Sequence, residues 1–379
     1  MVTRNIPLDE LIKKKSLLLI GPRGTGKSTY LRNQLSNIHI INLLKNSDYL
    51  QLEQNPSYLE EIVDQFPKKI IAIDEIQKIP ALLDEVHRLI EEKKIRFLLT
   101  GSSARKLKSH SANLLAGRAW PTFMHPLNYR ELKNEGRWDL NRILKYGSLP
   151  MIQLSDDPIE ELDSYVQTYI ESEIKMEGLV RKIPSFTRFL RGAAISHGEL
   201  LNYQSLASDT ATPASTIREH YHILEDTLIG YTLQPWRDSK KRKAVATAKF
   251  YFFDGGVVNQ LSQIFPESEN SPIWGNRFET LIINEIRCVE NYQRRKWPLN
   301  FWRSTTGMEV DLTWGPYAIE IKSTKKVSDK HLVGLKAIKE EKHFKKLFLI
   351  SLDEMNRKHD SIDIIHYESF LNNLWDKIL

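Results

Sequence analysis

Residues 21–29 read Gly-Pro-Arg-Gly-Thr-Gly-Lys-Ser-Thr and fit the spacing G-x-x-x-x-G-K-[ST] of a phosphate-binding loop. The chemistry follows from the residue types. Gly21 and Gly26 fix a tight turn whose bare N–H groups close around phosphate oxygens. Lys27 reaches the β- and γ-phosphates, and the Ser28 hydroxyl holds Mg²⁺. Gly21, Pro22, Gly24, Thr25, Gly26, Lys27, Ser28 and Thr29 are therefore assigned to ATP binding, together with Asp74. Asp74 and Glu75 end the apolar run Ile70-Ile-Ala-Ile, the arrangement by which phosphoryl-transfer enzymes set an acid near Mg²⁺ and a second acid beside the attacking water. Asp74 is assigned to the metal with Ser28, and Glu75 to the water as general base. Thr100 and Ser102 close a third apolar run and are expected to sense the γ-phosphate or orient the water. Arg118 follows Gly117 and is either an arginine finger or a surface arginine.

Such residues need a sheet that brings loop ends together, and the pattern supplies one. Apolar runs at Ser16–Ile20, Ile38–Leu43, Lys69–Ile73 and Ile95–Thr100 alternate with helical spacing at Lys27–Leu35, Ser57–Gln65 and Ala81–Glu92. Alternation of this kind predicts an α/β fold with a mostly parallel sheet covered on both faces. A helical stretch follows over Asp157–Arg181. Leu201–Ala207 and Pro213–Leu228 then read as two helices before a β segment at Ile229–Leu233, which predicts a winged helix-turn-helix. Its second helix carries Ser215, Arg218 and His222 as polar positions for a groove, among Glu219, Glu225 and Asp226.

The C-terminal third holds another constellation. A helix is expected over Trp274–Glu290, with strands at Asn300–Arg303, Glu309–Trp314, Tyr317–Lys322 and Lys346–Ser351. Asp311 and the later Glu320-Ile-Lys322 fit the D…(D/E)-x-K pattern of metal-dependent nucleases, in which clustered carboxylates hold the cations for phosphodiester cleavage. Glu320 and Lys322 lie two apart on a strand and share a face. Glu279 on the preceding helix is positioned to supply a third carboxylate. The expected metal site is Glu279, Asp311 and Glu320 with Mg²⁺ or Mn²⁺, and Lys322 beside it as catalytic cation. From spacing alone, a solvated charge pair on an amphipathic strand is the favoured reading.

Gly21–Thr29, Ile73-Asp-Glu-Ile-Gln-Lys-Ile-Pro80, Thr100-Gly-Ser-Ser103 and Leu115-Ala-Gly-Arg118 together resemble a group of prokaryotic AAA+ ATPases related to the archaeal STAND-like ATPases. The resemblance continues through Leu201–Ala207, Tyr251-Phe-Phe-Asp254, Phe278-Glu279 and Glu309-Val-Asp311, so it spans essentially the whole chain. It implies a P-loop AAA+ core at 1–130, a helical lid or linker at 131–186, a winged helix at 187–250 and a restriction-endonuclease-like domain at 251–379. It also implies that Arg118 acts on a neighbouring subunit of a homo-oligomer, and that Glu279, Asp311, Glu320 and Lys322 match the nuclease tetrad. The nuclease is either active or a spent domain kept as a DNA clamp. Tyr146-Gly-Ser-Leu-Pro150 departs from the family's Gly-Gly-Tyr/Phe-Pro.

Bulk properties bound the partners. In 379 residues, 41% are hydrophobic and 27% charged, with a net charge of +6, which allows a polyanion such as DNA without requiring one. Lys240–Lys243, Arg294-Arg-Lys296 and Lys322–Lys326, with Trp302 and Trp314 nearby, are the candidate DNA contacts. The single cysteine, Cys288, excludes an intramolecular disulfide and a cysteine zinc cluster. No apolar run is long enough to span a bilayer, and the N-terminus lacks signal-peptide features, so a cytoplasmic protein without a membrane partner is expected.

Overall fold

The computed structural model describes residues 2–35, 37–66, 70–101, 117–170 and 183–377, without the side chains of 169 and 170. The chain divides into two compact units, one of Met1–Leu127 with Asp226–Ile229 and one of Asn128–Glu225 with Gly230–Leu379.

Five parallel strands organise the first unit: β1 (Ser16–Ile20), β2 (Ile38–Asn42), β3 (Ile70–Asp74), β4 (Phe97–Gly101) and β5 (Ala119–Phe123), in the order β2-β3-β4-β1-β5. Helices cover both faces, so β1, β3 and β4 are near-continuous apolar runs rather than alternating ones. Helix Leu82–Lys93 shows the complementary pattern. It buries Leu82, Leu83, Val86, Leu89 and Ile90 at helical spacing, and these join Ile71, Ile73, Phe97 and Leu99 in one core. The order has a chemical consequence, because β4 lies between β1 and β3. Leu19 pairs with Thr100 and Ile73 with Leu99, so the carboxyl ends of the three strands are level. That edge is where open parallel sheets bind ligands. The expected elements recur with ends shifted by a few residues; helix Lys27–Asn33, for instance, stops two residues early.

The second unit begins with short helices, among them Leu140–Tyr146 and Pro158–Ser164. The latter continues as a π-helix over Tyr165–Ile170. The rest of the helix expected to Arg181 lies outside the described residues. Helices Ile183–Ile195, Tyr203–Thr210 and Ala214–Asp226 follow, then an antiparallel hairpin of β6 (Gly230–Pro235) and β7 (Lys249–Phe252). Leu200 bridges to Lys249, adding a short third rung to the hairpin. Helix Pro272–Gln293 precedes a meander of β8 (Leu299–Arg303), β9 (Glu309–Trp314) and β10 (Tyr317–Lys322). Helix Val333–Lys339 then leads to β11 (Lys346–Ser351), parallel to β10. With β12 (Arg357–His359) and β13 (Ile362–His366) the strands form one sheet, ordered β12-β13-β11-β10-β9-β8-β6-β7.

The boundary expected between residues 250 and 251 falls inside this sheet. Gln234 and Pro235 of β6 pair in parallel with Asn300 and Phe301 of β8, so the hairpin extends the C-terminal sheet. The Tyr146–Pro150 segment has a packing reason. Asp254 is fully buried and accepts the N–H groups of Ser148, Gly256 and Val257 at 2.7, 2.9 and 3.2 Å. Gly147 has φ +78°, and a Cβ there would stand 1.9 Å from Asp254 Oδ1. Only glycine passes this point.

Candidate nucleotide site and C-terminal acidic cluster

The loop after β1 has the shape its residues predict. Gly26 has φ 92°, in the left-handed region, and a Cβ on Gly21 would meet the Met124 carbonyl oxygen at 2.4 Å. Lys27 is buried and donates from Nζ to the carbonyls of Gly21 and Pro22 at 2.6 and 3.0 Å. An ammonium folded back over bare loop carbonyls leads into the space the loop encloses, so these residues fit a phosphate chain. Ser28 is half-buried behind Lys27, and Thr29 is exposed. Thr25 ties the loop to itself through Oγ1 to the Pro22 carbonyl, 2.8 Å.

At the level end of β3 and β4, Asp74 and Thr100 are both buried. The Thr100 hydroxyl donates to Asp74 Oδ1 at 2.5 Å and accepts the Glu75 N–H at 3.1 Å. Thr100 was expected to face the γ-phosphate or the water. In this structure its hydroxyl bridges the two acids and so positions them. Glu75 has φ 62°, a left-handed conformation that costs a non-glycine residue about 1–2 kcal/mol, and its carboxylate accepts from Gln77 Nε2. Strain of this kind persists where neighbours hold it, and here the Thr100 hydroxyl does so. Ser102 lies outside the described residues.

Arg118 stands at the other edge of the sheet. Ala119 is level with Ser16, whereas the loop starts after Ile20, which is level with Phe123. At ~3.3 Å per residue the two edges are about 17 Å apart along the strand. Arg118 Nε pairs with Glu91 Oε1 at 2.6 Å and holds the Glu91 carboxyl below its ordinary range. Within its own subunit the sheet therefore separates Arg118 from the loop. Sequence reasoning missed Arg4, which is buried and donates to the carbonyls of Thr25 and His125, both at 2.6 Å. It ties the N-terminal segment and the chain after β5 to the phosphate loop. A lone arginine near the chain's start carried no signal of this.

The C-terminal carboxylates are drawn together by lysines. Lys322 Nζ lies 2.6 Å from Glu320 Oε1 and 3.3 Å from Asp311 Oδ2, and Asp311 Oδ2 also accepts the Ile321 N–H at 2.7 Å. Glu279 Oε1 accepts the Tyr251 hydroxyl at 2.6 Å. Lys249, on β7, is a residue sequence reasoning passed over. It is 5% exposed, with Nζ 2.5 Å from Glu309 Oε1 and 3.9 Å from Glu279 Oε1. Burial opposes its charge, but Glu279, Glu309 and Asp311 outweigh that and push its pKa up to about 12. Burial raises the Glu279 carboxyl, partly offset by Lys249. Burial and Asp311 raise Glu320 well above its ordinary value.

The expected Mg²⁺ or Mn²⁺ site names Glu279, Asp311 and Glu320, with Lys322 beside it. Among the described residues no three His, Cys, Asp or Glu side chains form a group that could hold a metal ion. One oxygen of each of the three carboxylates meets an ammonium, with a phenol and a backbone N–H adding to Glu279 and Asp311. Glu320 Oε2 is buried without a hydrogen-bond partner, but it lies beneath the Val333–Lys339 helix, where a Cβ on Gly334 would be 3.4 Å away.

The candidate DNA contacts divide. Trp302 and Trp314 are fully buried, with indole N–H groups donated to Ser239 and Glu290, so neither is a platform for bases. Arg295 lies over the Trp297 and Trp314 rings and belongs to the fold. Lys240, Lys241 and Lys243 are exposed on a loop whose backbone N–H groups at 240 and 241 bond Glu341. Ser215, Arg218 and His222 are exposed along helix Ala214–Asp226, while Ile217, Tyr221 and Leu224 are buried. Among the described residues no helix is long and apolar enough to cross a membrane.

Comparison with known proteins gives three family matches: an AAA domain over residues 13–133, a domain of unknown function (DUF8612) over 137–268 and another (DUF4143) over 274–370. The chain is 27% identical over 327 residues to the uncharacterized protein Rv2008c of Mycobacterium tuberculosis, covering 81% of this chain and 70% of that one. It is 25% identical over 340 residues to the uncharacterized protein MJ1544 of Methanocaldococcus jannaschii, covering 78% and 73%. A solved structure of the Aeropyrum pernix Orc1 protein in complex with DNA aligns at 12% identity, covering 69% of this chain and 93% of that chain, with a TM-score of 0.30, too slight a likeness to carry an argument. The phosphate loop, Asp74, Glu75, Thr100 and Arg118 all lie within the AAA match.

Proposed function

We propose, from the premise that residues 13–133 are an AAA-type P-loop ATPase domain, that the chain hydrolyses ATP and couples the cycle to remodelling or movement along DNA. The observation that carries the hydrolytic part is the level edge of β1, β3 and β4. It gathers the Lys27 loop, Asp74, Glu75 and Thr100 at the carboxyl ends of neighbouring strands. Lys27 exchanges its loop carbonyls for the β- and γ-phosphates. Glu75 takes the proton of the water whose oxygen attacks the γ-phosphorus as the bond to ADP breaks. Asp74 stays oriented by Thr100, and Ser28 stands beside the loop lysine. Mg²⁺, held through Ser28 and Asp74 when bound, neutralises charge on the phosphates.

Arg118 serves a neighbouring subunit, which makes the working form an oligomer. Its position at the edge remote from its own loop supports that role, and its pair with Glu91 opens when the neighbour docks. DNA is the favoured partner on three grounds. Helices Tyr203–Thr210 and Ala214–Asp226 with the β6–β7 hairpin support a winged helix that exposes Arg218 and His222. The Lys240–Lys243 loop adds exposed positive charge. The helix, three-strand meander, helix and parallel strand of residues 272–351 support a restriction-endonuclease-like frame, which in this reading grips DNA.

A second reading is a STAND-like switch whose ATP state controls assembly. ATP turnover measured with single-stranded, duplex and branched DNAs separates the two. Severalfold stimulation by DNA is expected for the remodeller, and turnover indifferent to every DNA would favour the switch.

A further inference from the structure

Four carboxylates of the C-terminal unit, Glu279, Glu309, Asp311 and Glu320, lie at one end of the β8–β10 meander, and a nuclease on this frame would need a divalent cation among them. The cluster already contains fixed positive charge from two directions. Lys322 comes from within β10 and bridges Asp311 and Glu320. Lys249 comes from β7, outside the meander. Its ammonium lies 5.3 Å from the Phe301 ring centre and ends on Glu309 with Glu279 next to it. Arg303 adds a third cation, 3.4 Å from Glu309 Oε2.

We infer that the Lys249 ammonium stands where a nuclease of this frame would hold its metal, so that the C-terminal unit keeps a metal-free, internally neutralised cluster and does not cut DNA. Three observations carry this. Lys249 is almost wholly buried, a position that an unpaired lysine does not tolerate. Its partners include Glu279, the carboxylate that would complete the metal set. One oxygen of each carboxylate is engaged: Glu279 Oε1 by the Tyr251 hydroxyl, Asp311 Oδ2 by the Ile321 N–H and Lys322, and Glu320 Oε1 by Lys322. A hard cation that prefers an octahedron of oxygens meets ammoniums instead. The lysine arrives on the same hairpin that carries the wing, so the two halves of the unit are joined by the charge that a metal would otherwise supply.

The sequence sets this lysine in an apolar frame. Lys249 opens the run Lys-Phe-Tyr-Phe-Phe-Asp, an aromatic strand in which Phe250, Tyr251 and Phe252 are all buried. A buried cation in that setting has a function only if anions face it. Beside it lies a polar cleft of about 460 Å³, bounded by Asn202, Ser205, Arg303 and Glu309, onto which Lys249 opens.

The inference rests on the nuclease-like reading of this frame, and its test uses neither ATP nor DNA, so it fails or stands apart from the ATPase. Nucleotide-free full-length protein is titrated with Mn²⁺ and the bound ion counted by electron paramagnetic resonance, with thermal unfolding followed in parallel. Wild type and Lys249→Arg are expected to bind no Mn²⁺ that Asp311→Asn abolishes. Lys249→Met is expected to unfold at lower temperature, to bind one Mn²⁺ at least tenfold more tightly than wild type, and to recover stability as Mn²⁺ is added. Wild-type protein that binds one Mn²⁺ and loses it in Asp311→Asn would overturn the inference, as would a folded Lys249→Met that gains no binding. If Lys249→Met does not fold, the wild-type and Asp311→Asn titrations decide by themselves.

Discussion

Replacing Thr100 by valine removes one hydroxyl and keeps the shape of the side chain. That hydroxyl donates to Asp74 Oδ1 at 2.5 Å and accepts the Glu75 N–H at 3.1 Å, in a place where both Thr100 and Asp74 are buried. A hydrogen bond to a charged group contributes about 1.5–3 kcal/mol, and a buried partner left unsatisfied carries a penalty of similar size. Thr100→Val is therefore expected to lose about 2–3 kcal/mol of stability, read as a lower denaturant midpoint. The same contacts hold the left-handed Glu75, so turnover should fall with them. If about 2 kcal/mol of that fixing is felt in the transition state, kcat drops roughly thirtyfold. ATP affinity, which rests on the Lys27 loop, should change by less than about threefold. Phosphate release and binding of a fluorescent ATP analogue read the two quantities separately. Thr100→Ser keeps the hydroxyl and should retain most of the rate. A Thr100→Val protein that hydrolyses ATP at the wild-type rate, or that loses affinity rather than turnover, would refute the positioning role.

Arg118→Ala should bind ATP and lose turnover, and mixing it with Glu75→Gln should restore part of the rate as subunits exchange; phosphate release from the mixture checks this, and no rescue despite proven exchange argues against action in trans. Glu285 sets a pH dependence. Burial pushes its pKa up to about 8 from 4.5, against the Trp375 indole N–H and the Tyr129 N–H that favour its charge. The folded chain thus keeps a proton that the unfolded chain releases from pH 4.5 upward. The associated stability is complete below that value and lost as pH rises through 8, by about 5 kcal/mol at most. Denaturant unfolding at pH 5, 7 and 9 should show the slope, and Glu285→Gln should flatten it. Changing Lys240 and Lys241 together to Glu should weaken DNA binding about tenfold or more at low salt and shrink the gap at high salt, leaving DNA-free ATP turnover unchanged. Fluorescence anisotropy with a duplex at two salt concentrations reads the effect.

The parts legible in the sequence are those whose chemistry is local. The phosphate loop announces itself because Gly21, Gly26 and Lys27 act through backbone shape and one charge. Strands Ser16–Ile20, Glu309–Trp314, Tyr317–Lys322 and Lys346–Ser351 keep their expected ends, being short apolar or alternating runs between turn residues. What escaped depends on pairing across long separations. That β6 would lie along β8 is decided by Gln234 meeting Asn300, and no local pattern in either strand records the other. Lys249 reads as one more cation until Glu279 and Glu309 arrive from other elements. Trp302 and Trp314 look like stacking platforms beside basic runs, whereas the meander buries both completely. The bridge from the Thr100 hydroxyl to Asp74 and Glu75 is not legible in the sequence, because a hydroxyl's partners follow from the register of β3 and β4. Tyr146–Pro150 gained a reason only once Asp254 was found against Gly147.

The central claim is that Lys27, Asp74 and Glu75 form one ATP-hydrolysing site, and Glu75→Gln tests it most directly. Lys27 acts on phosphate already in the ground state, whereas Glu75 acts on water in the transition state. Purified wild type and Glu75→Gln are compared for ATP binding at equilibrium and for phosphate release with Mg²⁺. The account predicts wild-type turnover, near-equal affinity in the variant, and a rate reduced by about a hundredfold or more. Phosphate release from Glu75→Gln at the wild-type rate would contradict it.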